Sequence, residues 1–125
     1  MNKASLGAIF LGMALTGTSA LAANRAIEIN IGGRGPAVDG PAFETVKDVI
    51  GHAVASGIVD KFTVRGYGVE GGFSACAQAS PWAKNVDFYA FIRQLRTITP
   101  NAQTTFYSLA PVEACSDDVV VPLQE

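Results

Sequence analysis

Hydrophobic and polar residues alternate strictly from Ala26 to Ile31, with Ile27, Ile29 and Ile31 on one side and Glu28 and Asn30 on the other. A period of two is that of a half-buried strand. Gly32-Gly33-Arg34-Gly35-Pro36 interrupts it, and Asp39-Gly40-Pro41 offers a capping side chain followed by a proline suited to a first helical turn. Phe43, Val46, Ile50, Ala53 and Val54 then recur at steps of three and four, while Glu44, Asp48, His52 and Ser56 take another face. That pattern predicts an amphipathic helix stopped by Gly57. Ile58 to Val69 reads as a second strand, with Phe62 and Val64 opposed to Thr63, Arg65 and Tyr67. Glu70-Gly71-Gly72 predicts a hairpin turn into a third strand, where Phe73, Ala75 and Ala77 alternate with Ser74, Cys76 and Gln78. After Ser80-Pro81 a second helix, entered through Asn85, carries Phe88, Phe91, Ile92, Leu95 and Ile98 on one face. Pro100-Asn101 closes it, and Gln103 to Leu109 forms a last strand.

The order β-α-β-β-α-β resembles the split βαβ arrangement of ferredoxin-like folds. The expected class is α+β, a four-stranded antiparallel or mixed sheet with two helices on one face. Right-handed crossovers are expected to set the first and third strands side by side in parallel. The face toward the helices would then carry the three isoleucines, Phe62, Val64, Phe73, Ala75, Ala77 and Phe106. The open face would carry Glu28, Asn30, Thr63, Arg65, Tyr67, Ser74, Cys76, Thr105 and Tyr107.

Upstream of this domain, Met1 to Ala23 holds the single charge Lys3, an apolar run from Leu6 to Leu15, a more polar Thr16 to Ser19 and then Ala20-Leu21-Ala22. These are the parts of a secretory signal peptide, with cleavage expected after Ala22. An uncleaved membrane anchor is the weaker reading. Residues 1–22 are thus assigned as a signal peptide and 23–125 as one α+β domain, of which 110–125 form a C-terminal tail. The working chain is expected in the periplasm or outside the cell, free of the membrane.

Cleavage leaves 103 residues with a net charge of −3. A balance this acidic gives no electrostatic footprint for nucleic acid. It also moves two details forward, because Cys76 and Cys115 both remain in the exported chain. In an oxidising compartment they are expected to pair. The bond would draw the tail back across the open sheet face, where Val119-Val120-Val121-Pro122 could add a short edge strand or a lid.

Gly66-Tyr67-Gly68-Val69-Glu70-Gly71 has the letters of a dinucleotide-binding loop but lacks the long helix that must follow it. The glycines are expected to serve a twisted hairpin or a close backbone approach. Glu44, Asp48 and His52 are spaced four apart, as metal ligands on one helix face would be, yet the same spacing is that of a solvated ion-pair face. No metal and no cofactor is expected. With one histidine and scattered carboxylates, no acid, base and nucleophile fall together, and no catalytic residue is assigned.

Arg34, in the glycine-rich loop, is a candidate anion or partner contact. Arg65, Tyr67 and Tyr107 are candidate binding residues on the open face, and Trp82 is either an interface anchor or a cap on the core. The function expected is that of a non-catalytic exported module that binds or inhibits a protein or binds a small ligand. The competing expectation is a small ferredoxin-like enzyme or ligand-binding homodimer with a pocket at the open sheet face.

Overall fold

The computed structural model describes residues 24–116; the expected signal peptide and residues 117–125, with the valine run, lie outside the described residues. The elements are β1 (Ala26–Gly33), α1 (Gly40–Ala55), β2 (Val59–Tyr67), β3 (Gly72–Ala79), α2 (Asn85–Arg96) and β4 (Thr105–Val112). The strands form a four-stranded sheet in the order β2-β3-β1-β4, with all neighbours antiparallel. Both helices and the helix-facing side of the sheet share one buried core.

The expected parallel pairing of the first and third strands does not occur. They are neighbours, but antiparallel. The reason is topological: α1 returns the chain so that β2 runs parallel to β1, and the tight hairpin then reverses β3, which fills the gap between them. Every sheet neighbour is therefore reversed.

Local chemistry sets the element ends. Asp39 caps α1 by accepting a hydrogen bond from the Ala42 N–H at 3.2 Å, and a proline sits in the first turn. Gly57, at φ 84°, takes the left-handed conformation that lets the chain leave α1. The hairpin turn depends on Gly72, at φ 97°, where an added Cβ would stand 2.0 Å from the Ile31 carbonyl oxygen. Only glycine allows β3 to come this close to β1. α2 has no side-chain cap; Asn85 instead accepts a hydrogen bond from Arg25, which also donates to the Ser80 and Ala83 carbonyls at 2.6 and 3.0 Å.

Ile27, Ile29 and Ile31 form the core floor with Ala75, Ala77 and Ala79 of β3. Val46, Ile50 and Ala53 of α1 cover it beside Phe88, Phe91, Ile92 and Leu95 of α2. Burial of these apolar side chains, each contributing about 1.5–3 kcal/mol when large, is the main force holding the layers together. The alanines of β3 let both helices approach the sheet.

The phase of the last strand is opposite to expectation. Tyr107 pairs across from Ile31 and Leu109 from Ile29, so both take the helix side, whereas Phe106 lies opposite Gly32 on the open face. Thr105 is buried on the helix side as well. A one-residue slip turns a whole strand over, and the register here is held from outside the strand: the Thr105 hydroxyl accepts from the Asp39 N–H at 2.7 Å. A second change of side occurs in β2. Its register shifts between Val64 and Gly66, so Arg65 stays with the open face while Tyr67 pairs with Phe73 on the helix side. A bulge of one residue has this effect on everything beyond it.

Candidate functional site

The disulfide joins Cys76 and Cys115 with their Cα atoms 5.8 Å apart. Cys76 lies on the open face between Glu28 of β1 and Thr63 of β2. After β4 the chain folds back over this face, and the Cys115 N–H donates to Gln78 Oε1 at 2.8 Å. Ala26, Cys76 and Cys115 form a small buried cluster with Val112 against it. Arg65 holds the end of the segment: Nη1 bonds Glu28 Oε2 at 3.2 Å and Nη2 reaches the Ser116 carbonyl at 3.4 Å. Arg65 therefore works as a clamp between sheet and tail.

Arg34 is also committed within the chain. Its N–H donates to the Thr104 carbonyl at 2.8 Å and its Nε to the Ala102 carbonyl at 3.0 Å, so it ties the β1–α1 loop to the turn before β4. The Val38 N–H donates to the Glu70 carbonyl at 2.9 Å on the other side of that loop. The glycine-rich connection is pinned at both ends. Tyr107 donates to the Leu95 carbonyl at 2.6 Å, and desolvation by burial pushes its phenol up to about 12. It braces α2 against β4 and is not on the open face.

Tyr67 and Trp82 remain exposed, at 77% and 71%. Trp82 thus does not cap the core. It stands near Gly57 at the end of α1, whereas Tyr67 stands at the other end of the sheet, so the two do not share a site. Glu44 pairs with Lys47 at 3.0 Å, and His52 Nδ1 lies 2.9 Å from the Asp48 carbonyl. Among the described residues no group of three or more His, Cys, Asp or Glu side chains is placed to hold a metal ion.

A concavity absent from the sequence reading lies on the helix side, between α1 and the outer strand β2. This groove has a volume of about 790 Å³. Phe43, Lys47, Ile50, Gly51, Val54 and Ala55 form its helical wall; Phe62, Val64, Tyr67 and Phe73 form the sheet wall, and the hairpin glycines close one end. Phe73 meets Phe43 edge-on with ring centres 5.1 Å apart, and Phe62 at 6.0 Å, so the aromatic floor is packed. Val54, expected in the core, is 45% exposed because it borders this groove. The bulge in β2 is what brings Tyr67 to its edge.

The sequence carried one overlooked signal for the groove, Gly51 in the middle of α1. An added Cβ there would meet nothing within 4 Å. Packing within the chain does not require glycine at that position. On the open face a smaller hollow of about 350 Å³ lies between Phe106 and the hairpin tip. Val69, at that tip, is 99% exposed. No family model, curated protein or solved structure matches the chain.

Proposed function

We propose that this chain is an exported, non-catalytic binding module of the ferredoxin-like class that takes a small apolar ligand into the groove between α1 and β2. The observation that carries the reading is the groove: about 790 Å³, walled by aromatic and aliphatic side chains. Small-molecule sites are typically concave, mostly apolar and roughly 300–1,000 Å³ in volume. Its lining offers only Lys47 and Tyr67 as ionisable side chains, with no carboxylate, imidazole or thiol to move a proton or attack a substrate. Binding is the chemistry such a surface favours.

Support for the fold class comes from the strand order, which read from the β4 edge is 4-1-3-2, two interleaved split βαβ units. Support for export comes from the Cys76–Cys115 bond, which suits an oxidising compartment, and from the signal-peptide pattern of residues 1–22. A homodimer joined through two open sheet faces is disfavoured, because the segment held by Cys115 and Arg65 occupies part of that face.

Titration with a neutral apolar fluorophore, N-phenyl-1-naphthylamine, tests the reading. Saturable one-to-one binding to the folded protein, lost in Val54→Glu, is expected. Absence of saturable binding, or binding indifferent to Val54→Glu, overturns it.

A further inference from the structure

Resting on this assignment of the groove, we infer that its natural occupant is an amphiphile with an apolar body and an anionic head, a carboxylate or a group of equivalent charge. The head meets Lys47, and the body lies against Phe43, Phe62 and Phe73. Lys47 is the one charged side chain among the residues lining the groove. A cationic head would meet the Lys47 ammonium, whose carboxylate partner, Glu44, is not among the residues lining the groove. A neutral head would leave that ammonium with only its exposed Glu44 partner and gain nothing from its charge. An anion both neutralises it and gains charge-assisted hydrogen bonds. Because the whole chain carries a net charge of −2, this attraction is local to Lys47 and not a property of the protein's overall field.

The present partners of Lys47 leave it available for exchange. Its Nζ lies 3.0 Å from Glu44 Oε2, in an i,i+3 pair whose glutamate side chain is 66% exposed, and 4.6 Å from the centre of the Phe43 ring. An exposed helical pair of this kind is weak, so a ligand carboxylate can replace Glu44 at little cost. The Phe43 ring meanwhile keeps the ammonium beside the apolar wall.

Gly51 follows Lys47 by one helical turn and precedes Ala55 by another, so the three share a face. Glycine in a helix interior is disfavoured. Here the missing side chain relieves no internal clash; it leaves room beside the cation.

Calorimetric titration of the purified, disulfide-bonded protein with decanoate, 1-decanol and decyltrimethylammonium, each below its aggregation limit, separates the contributions. Decanoate is expected to bind about threefold to fivefold more tightly than the alcohol, the gain of a partly exposed ion pair, and the cation more weakly than either. Lys47→Gln should bring decanoate down to the level of the alcohol without changing the alcohol. Gly51→Leu, which retains a good helix former, should weaken both, with circular dichroism showing that it is folded. Equal binding of all three probes, or no effect of Lys47→Gln on decanoate, overturns the anionic head while leaving the groove reading intact. If none of the probes and no neutral fluorophore binds, the groove reading itself fails. Light scattering that shows a dimer dissociated by Val54→Glu assigns the groove to a second copy and overturns the amphiphile.

Discussion

The phenol of Tyr107 on β4 donates its proton to the carbonyl of Leu95, in the last turn of α2, across 2.6 Å. This bond joins the outer strand to the helix that covers it. The same Leu95 carbonyl also receives the Ile98 N–H at 3.2 Å. Tyr107→Phe should therefore cost about 0.5–1.5 kcal/mol at neutral pH, nearer the lower end. The pH dependence adds a sharper test. With its pKa raised from 10.0 to about 12, folded Tyr107 keeps a proton that the unfolded chain has already lost within that interval. Its contribution is full below pH 10 and declines as the pH rises toward 12. Urea unfolding at pH 7 and pH 11 should show a smaller alkaline loss in Tyr107→Phe than in the parent.

The Cys76–Cys115 bond spans 39 positions, and Cys76 is fully buried. On the chain-entropy account, closing a loop of this length contributes about 4 kcal/mol. The Cys76→Ala/Cys115→Ala double variant should lower the urea midpoint accordingly and make the region after Val112 sensitive to protease. An unchanged midpoint would mean that the bond constrains little in the unfolded chain.

Asp39 uses both carboxylate oxygens: Oδ1 accepts from the Ala42 N–H and Oδ2 from the Asn101 N–H at 3.0 Å. The first bond caps α1, and the second ties its start to the turn that leads into β4. Asp39→Ala should cost about 1–2 kcal/mol, more than a helix cap alone in a peptide. Asp39→Asn retains an acceptor and should recover part of this; thermal melts of the three proteins decide it.

Two glycines should respond in opposite ways to alanine. At Gly72 the new Cβ would collide with the backbone of β1 at a positive φ, and a loss of about 3 kcal/mol or more is expected. At Gly51 the Cβ enters open space in a helix, and a gain of about 0.5–1 kcal/mol is expected. Denaturant unfolding of both variants reads the two signs.

The exported form is tested by intact mass. Purification from the secreted or periplasmic fraction should give a chain beginning at Ala23, two hydrogens lighter than after reduction. Material that retains residues 1–22 or carries two free thiols would contradict export with a formed disulfide.

Element type and order were legible along the chain because each depends on neighbours a few residues apart. The isoleucine alternation from Ile27 to Ile31 specifies a strand, the three-four spacing from Phe43 to Ala53 a helix, and Asp39, Pro41 and Gly57 mark that helix's ends. Cysteine count and the expected oxidising compartment likewise pointed to the Cys76–Cys115 bond. The face presented by β4 was not legible, since Phe106 and Tyr107 are both aromatic and neighbours in sequence, and their sides depend on the bond between Thr105 and Asp39. Tyr67 was misplaced for a related reason: a bulge reverses the alternation without altering composition. The groove lay further out of reach, because its walls come from a helix and a strand that must first be assembled. Local stereochemistry and hydrophobic period thus set what each segment becomes, while register, bulges and the gap between packed layers, which depend on partners distant in the chain, set which side chains meet.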